Sequence, residues 1–477
     1  KALSPAVYYL EGSSGQERVR AADAIRRLPL NVLLQDSALV LHAAEEEKDP
    51  EAKALLLRAL QFIPGVRRTT MLLAAARRNQ PLPVRISAMT ALGHHPDARS
   101  RDSLLAWVDD PIPAVRTAAL GSLLNGGVFS NRGSYWSVTE NDRWFDALTR
   151  FRVGGLMAYN NETKKKAVHV LKTDTSTNPY AEAERIEARS MVDDDYRDAD
   201  LEQLVFSDAH PMVRQAAFGV LADRNLWALW MPRAITPGMQ LREAAPFWHS
   251  IFSSGDPGLI CVAAERLGSF DADKLLVLLP ETVERQARAS LHPLRDLEAV
   301  HLLDNLAARR NGQQAIAHHA PSFNHPIDPV KLRALAQGQR YRIVTTKGEV
   351  VIATDVNECP GSSLAFDSLV AAGYYDGKAF HRMVPNFVVQ GGCPRGDGYG
   401  GMPWTLRTEI GRKPFTAGSV GLASAGRDTE SCQFFITHSA APHLDGRYTR
   451  FGEVLSGMDV VWQLQIGDAM QRVERID

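Results

Sequence analysis

Two hydrophobic periodicities divide this chain. Up to about residue 310, apolar residues recur at helical spacing, as at Val115, Ala118, Ala119 and Leu123, the one-sided pattern of an amphipathic helix. From Tyr341 onward they alternate. Tyr341-Arg342-Ile343-Val344-Thr345-Thr346 and Glu349-Val350-Val351-Ile352-Ala353, joined through Lys347-Gly348, predict a β-hairpin. Further strands are predicted at 379–383, 387–390, 420–423, 433–437, 450–454 and 470–476. Helices are predicted at 362–372 and 457–465. That makes about eight strands and two helices in this part of the chain.

The helical part carries a repeat. A proline or acid, then a small or β-branched residue, then a base, opens an Ala/Leu-rich helix. Arg20, Lys53, Arg85 and Arg116 mark this anchor at a period of about 32 residues. Second helices are expected at 37–48, 68–79 and 98–109, the first N-capped by Ser37. Proline suits a first helical turn, where its missing N–H is not needed. One such unit cannot cover its own apolar face, but stacked units can, which predicts an α-solenoid. The pattern resembles HEAT-type repeats. By that resemblance Arg85 and Arg116 pair with acids of neighbouring units.

Asn125-Gly126-Gly127 opens an expected insertion at 125–163, rich in Gly, Asn, Ser and aromatics such as Tyr135, Trp136, Trp144 and Phe145. It reads equally as a partner-binding projection or as an aromatic cap on the array. The repeats resume at His210-Pro211-Met212-Val213-Arg214-Gln215 and at Asp256-Pro257. The expected division is a helical array at 1–310, a connector at 311–338 marked by Pro321, Pro326 and Pro329, and a strand-rich domain at 339–477.

Composition narrows the function by exclusion. The 477 residues are 45% hydrophobic with a net charge of −1, so there is no electrostatic footprint for nucleic acid or an anionic membrane. No apolar run reaches the length of a membrane span. Cys261, Cys359, Cys393 and Cys432 form no C-x-x-C pair and are expected to be free and partly buried. The start at Lys1 rather than Met points to a processed form and, taken with the resemblance given below, to a cell envelope or periplasm, although a cytoplasmic protein would read the same. Asp193, Asp194, Asp195, Asp198 and Asp200 lack the turn glycine of a calcium loop and read as a solvated helix start. His94-His95 and His318-His319 are adjacent pairs whose side chains diverge, and Lys164-Lys165-Lys166 reads as a solvated face. Gly396-Asp397-Gly398-Tyr399-Gly400-Gly401 matches G-x-G-x-x-G, but Met402-Pro403-Trp404 follows rather than a helix. It is therefore read as a flexible loop beside a groove, not a phosphate site.

The chemistry sits in two stretches. One is Phe380-His381-Arg382-Met383-Val384-Pro385-Asn386-Phe387-Val388-Val389-Gln390-Gly391-Gly392; the other spans Gly421-Leu422-Ala423-Ser424-Ala425-Gly426 and Ser431-Cys432-Gln433-Phe434-Phe435-Ile436-Thr437. Strand alternation puts Val388 with Gln390, Gln433 with Phe435, and Phe380 with Arg382 on shared faces. The expected outward set is Arg382, Val388, Gln390, Gln433 and Phe435, with Val389, Phe434 and Ile436 inside. Over roughly 340–477 these motifs resemble the cyclophilins, the peptidyl-prolyl isomerases built on a closed antiparallel β-barrel, and the bacterial members in particular. The eight strands and two helices fit that barrel, whose helices cap its two ends and whose narrow interior is filled by side chains, so any site lies on its outside. The resemblance implies catalysis by Arg382 and a proline pocket of Phe387, Val388, Phe435 and Leu444. It implies peptide contacts from Gln390, Ala423, Ser424, Ala425 and Gln433, with His443 and Tyr448 nearby.

Many eukaryotic cyclophilins carry Trp at the place of His443, His at Tyr448, Met at Val388 and Asn at Ser424. These departures bear on cyclosporin affinity and substrate preference more than on catalysis. The resemblance places Phe387 in the pocket beside Val388, against strict alternation, and the turn at Pro385 accounts for this. No metal or cofactor is called for. The implied activity is isomerisation of X–Pro bonds in polypeptide clients, assisting folding, with the array holding a client or an assembly. The alternative is a scaffold or chaperone module that binds proline peptides with incidental turnover.

Overall fold

The protein is described from a computed structural model covering residues 3–95, 97–108, 110–125, 165, 168–169, 171–173, 177–230, 237–314, 321 and 325–477. Apart from Asn125, the expected insertion at 125–163 lies outside the described residues, as do His318, His319, Lys164 and Lys166.

Helices fill the N-terminal part. Gly15–Arg26, Pro50–Ala59, Leu82–Leu92 and Pro113–Asn125 carry the four anchors and pack successively against one another. Ser37–Glu46, Val66–Ala75 and Ala98–Trp107 lie between them, close to the expected second helices. The first of these is capped by Asp36, whose carboxylate accepts from Leu39 N, so Ser37 is the first helical residue and not the cap. An acidic cap beats a hydroxyl here because the helix N-terminus carries partial positive charge. Later helices include Pro179–Val192, Pro211–Trp230, Pro257–Leu267 and Leu297–Arg310.

Two of the basic anchors, Arg85 and Arg214, meet an acid one unit along. Arg85 Nη2 lies 2.8 Å from Asp110 Oδ2, both side chains almost wholly buried. Arg214 Nη1 lies 2.8 Å from Asp256 Oδ2. Arg116 donates to the carbonyls of Asp110 and Pro111. The Asp193 carboxylate is buried between Arg189 and Lys172, so that acidic run is not simply a solvated helix start. A buried carboxylate without such a partner would be strongly disfavoured.

The C-terminal part is a closed antiparallel barrel. Its strands are β1 (Arg340–Thr345), β2 (Gly348–Thr354), β3 (Lys378–Val384), β4 (Val388–Gly391), β5 (Ser419–Leu422), β6 (Phe434–Thr437), β7 (Arg450–Ser456) and β8 (Ala469–Ile476). They close in the order β1-β2-β7-β5-β6-β4-β3-β8. Phe380, Val389, Phe434, Ile436 and Phe451 fill the interior with Phe366 and Leu369 of helix Pro360–Ala371. The second helix is shorter than expected, Met458–Val461, with Val461 in the same core. All four cysteines are free and buried.

The barrel is docked, not tethered. Ala440 and Trp462 join the apolar core of the first helical units, and Tyr399 packs on the core of the later ones. Asn386 Nδ2 donates to Pro83 O at 2.9 Å and to Ser87 Oγ at 2.8 Å. The Glu51 carboxylate accepts from Ala440 N at 2.7 Å, and Tyr180 Oη donates to Gly396 O at 2.8 Å.

The buried pairs separate from surface pairs in energy. Asp110→Ala strands the Arg85 guanidinium and removes the acceptor for Ile112 N, and a loss of about 3–5 kcal/mol is expected. Arg67→Ala breaks an exposed pair with Glu45, with an expected cost below about 1 kcal/mol. Urea unfolding followed by far-UV circular dichroism checks the contrast; equal effects would remove the structural role assigned to the buried pair.

Candidate active site

The β3–β4 connection sets the geometry. Asn386 takes a left-handed backbone (φ 61°), which asparagine tolerates better than most residues. The turn closes with Phe387 N donating to Val384 O at 3.0 Å. Phe387 therefore precedes β4 and escapes its alternation, so it packs on the same side as Val388.

The expectation that Phe380 and Arg382 share a face does not hold. The β3–β4 register shifts between them, with Phe380 opposite Gly391 and Arg382 opposite Gln390. This bulge turns Phe380 into the barrel core and leaves Arg382 exposed on the outside. Bulges beside functional sites commonly re-aim a side chain in this way.

Outside the barrel, Val388, Phe415, Phe435, Ala441 and Leu444 form a small apolar cluster of their own, flanked by Phe387 and Tyr448. Phe415 was not anticipated: it lies in a loop far from either motif, where only its aromatic character marked it. Its ring stacks on Phe435 at 5.8 Å and 25°. Gly421 lies beneath both rings. A Cβ there would sit 2.4 Å from Phe435 Cζ and 2.9 Å from Phe415 Cε1, so only glycine lets the rings settle this low.

Arg382 stands over this cluster, its Cζ 5.9 Å from the Phe387 ring centroid. A run of amide hydrogen bonds orients it. Arg382 Nη1 donates to Gln390 Oε1 at 3.3 Å, and Gln390 Nε2 donates to Gln433 Oε1 at 3.0 Å. Gln433 Nε2 donates to the carbonyls of Gly398 and Gly400, each at 2.8 Å. Packing around Arg382 lowers its pKa from the ordinary guanidinium value, an effect opposed by Tyr448.

The glycine-rich loop receiving this run is tied down rather than free. Asp397 accepts from Arg395 Nη2 at 2.9 Å and from Gln215 Nε2 at 2.7 Å. Arg395 Nη2 also reaches Asp256 Oδ1 at 2.9 Å.

A groove of about 520 Å³ runs along the outward face past Arg382, Phe387, Val388, Phe435, Leu444 and Tyr448. A smaller recess of about 140 Å³ adjoins it through Gln390, Ala423 and Ser424 and extends to Ala425 and Gln433. The structure thus gathers all but one of the sequence-predicted site residues around two joined recesses. His443 is the exception. It packs against Phe387, ring centroids 5.0 Å apart, near charged side chains of the first helical units. Burial lowers its pKa, with Asp23 opposing and Arg27, Arg26 and Arg58 adding to the effect.

The helical region also lines the groove, through Met212, Gln215 and Glu298. Nothing in the sequence pattern pointed to them as site residues. Met212 and Gln215 sit inside a repeat anchor and read there as structure.

Residues 340–476 match the family model described as cyclophilin type peptidyl-prolyl cis-trans isomerase/CLD. Peptidyl-prolyl cis-trans isomerase B of Bacillus subtilis is 46% identical over 116 residues, 24% of this chain and 81% of that protein. A peptidyl-prolyl cis-trans isomerase of Synechococcus elongatus is 41% identical over 132 residues, 27% of this chain and 91% of that protein. A crystal structure of a Cryptosporidium parvum cyclophilin type isomerase, determined in the presence of the dipeptide Ala-Pro, has 28% sequence identity. It covers 29% of this chain and 99% of that one, with a TM-score of 0.28. The chain belongs to the cyclophilin-type peptidyl-prolyl cis-trans isomerases, and its barrel is the isomerase domain. Among the described residues no helix is long and apolar enough to cross a membrane.

Two buried histidines near the site make stability sensitive to pH. Burial pushes His381 down to about 4, opposed by Asp397 and reinforced by Arg382. Burial likewise pushes His438 down to about 4, where its ring stacks on Trp462 at 4.4 Å. Unfolded, both titrate near about 6.5. The unfolded chain then takes up protons first as pH falls, so folding loses free energy progressively between about 6.5 and 4. Unfolding midpoints across this window check the sign: the native protein is expected to weaken with acid, and His438→Gln to flatten part of the slope.

Proposed function

We propose that Arg382 is the catalytic group of this isomerase and that the two recesses bind a proline-containing polypeptide. The apolar cluster of Phe387, Val388, Phe435 and Leu444, floored by Phe415, accepts the proline ring. Gln390, Ala423, Ser424, Ala425 and Gln433 contact the chain on one side of it, and Tyr448 edges the pocket. His443 supports Phe387 from behind. The observation that carries the reading is the guanidinium held over an apolar pocket by the Gln390–Gln433 run.

The reaction asks little of the protein. The planar amide resists rotation by about 18–20 kcal/mol because resonance must be broken. At the twisted transition state the prolyl nitrogen becomes pyramidal and gains a usable lone pair. A guanidinium N–H placed there donates to it in that state and not in the planar ground state. This is differential binding of the transition state. Lowering the barrier by about 7 kcal/mol gives roughly 10⁵-fold acceleration. Arginine suits the role because it stays charged and presents several donors in a fixed fork. The apolar walls exclude water and strengthen the bond. No nucleophile or general base takes part.

The helical region reads as a HEAT-like array at 1–310, joined through a connector at 311–338 to the barrel at 339–477. It acts as a scaffold that holds a client or partner at the groove, which its own residues help to line. This supports isomerisation of a held client in protein folding over a tethered enzyme with an unrelated scaffold.

A coupled assay on an Xaa-Pro peptide tests the reading. Arg382→Ala is expected to lower kcat/KM by about two orders of magnitude or more, the range of a transition-state hydrogen bond from a charged donor. Peptide binding without turnover in the intact chain would favour the scaffold alternative instead. The rate is expected to be nearly flat from about pH 6 to 9, because Arg382 stays charged and His381 stays neutral. A limb near pH 7 would reject this mechanism.

A further inference from the structure

Glu298 stands where the two recesses join, and it comes from the helical region. It lies in the first turn of helix Leu297–Arg310. It lines both recesses, as do Gln390, Ala423 and Ser424 of the barrel. Its side chain is open to the groove. Among the described residues its carboxylate has neither an ion pair nor a hydrogen bond. The crowding of protein around it raises its pKa, and the negative charges of Glu265 and Asp397 add to the effect.

Two cations nearby are already paired: Arg295 with Asp296 at 2.9 Å, and Arg395 with both Asp256 and Asp397. Arg382 keeps its charge over the apolar cluster, since its partner Gln390 is a neutral amide. A peptide in the groove therefore meets an unpaired carboxylate at the junction of the recesses as well as the guanidinium over the pocket. A concave wall of low polarizability focuses the field of such a charge into the groove.

We propose that Glu298 is a specificity-determining residue that selects proline-containing segments carrying lysine or arginine within a few residues of the proline. The inference rests on reading the groove as the prolyl site. An extended chain advances about 3.3 Å per residue, so a basic side chain one to three positions away, roughly, can reach the junction of the recesses. The ammonium or guanidinium would donate to the Glu298 carboxylate and supply the partner it lacks. The selecting group lies outside the isomerase barrel, so the helical region would set which clients the barrel isomerises.

A charge scan with the full chain tests this. Peptides of alanine around a single Xaa-Pro bond carry either lysine or glutamate at one of the three positions on each side. At one position or more, kcat/KM is expected to favour lysine by about fivefold, the scale of a partly screened ion pair. Raising ionic strength from about 0.05 to about 0.5 M should shrink the ratio, because the Debye length falls several-fold. In Glu298→Gln the lysine-to-glutamate ratio should fall close to one, and in Glu298→Lys it should invert.

A ratio near one at every position, with the alanine peptide turned over, overturns the role of Glu298 and leaves the isomerase site standing. A preference that survives Glu298→Gln, or that ignores salt, also overturns it. If no peptide is turned over, including alanine alone, the reading of the groove falls and this inference with it. The salt series on the unaltered chain needs no variant to fold.

Discussion

One carboxylate, Asp256, holds the two halves of this molecule in register. It is nearly buried at the start of helix Pro257–Leu267, where Oδ1 caps Leu259 N at 3.0 Å. It also receives Arg214 from the preceding helical unit and Arg395 from the barrel's glycine-rich loop. A buried charge is tolerable only when its hydrogen-bonding capacity is filled, so the array and the loop are each other's condition. From that loop the contacts continue inward. Gly398 and Gly400 accept from Gln433, Gln433 accepts from Gln390, and Gln390 accepts from Arg382. The direction of the guanidinium is thus set partly by packing that begins outside the barrel.

The barrel explains why the site is an external groove. Its interior is filled by Phe366, Phe380, Phe434 and Phe451 among others, and the groove runs along its outer face. The second apolar cluster, with Phe415 and Phe435 stacked over Gly421, lies on the outer face. The bacterial relatives are matched over most of their own length by about a quarter of this chain. What the rest of the chain adds here is physical: Met212, Gln215 and Glu298 close one side of a groove that the barrel alone would leave open.

Much of this was legible, and the failures are local. Period-two alternation located all eight strands to within about two residues, because inside and outside differ sharply in a closed barrel. It failed at Phe380 and Arg382, where one extra residue in β3 shifts the phase; a bulge leaves no mark in a hydrophobic pattern. Ser37 reads from sequence as a helix cap, but Asp36, one residue earlier, takes the position. The glycine-rich loop reads from sequence as flexible, yet the structure ties it down. Its anchors, Tyr180, Gln215 and Asp256, are remote in sequence, and nothing local announces them.

The sequence by itself determined the two classes of structure, the family of the barrel and the set of residues gathered at the groove. Those follow from periodicity and from motifs whose members lie close along the chain. Only the tertiary structure decided that the helical region docks beside the groove, that Phe415 joins its apolar cluster and that His443 packs against Phe387 without lining either recess. It alone placed Glu298 at the junction of the recesses. These are contacts between segments far apart in the chain, chosen by shape and by the pairing of buried charges. Neither leaves a repeating signature in the order of residues.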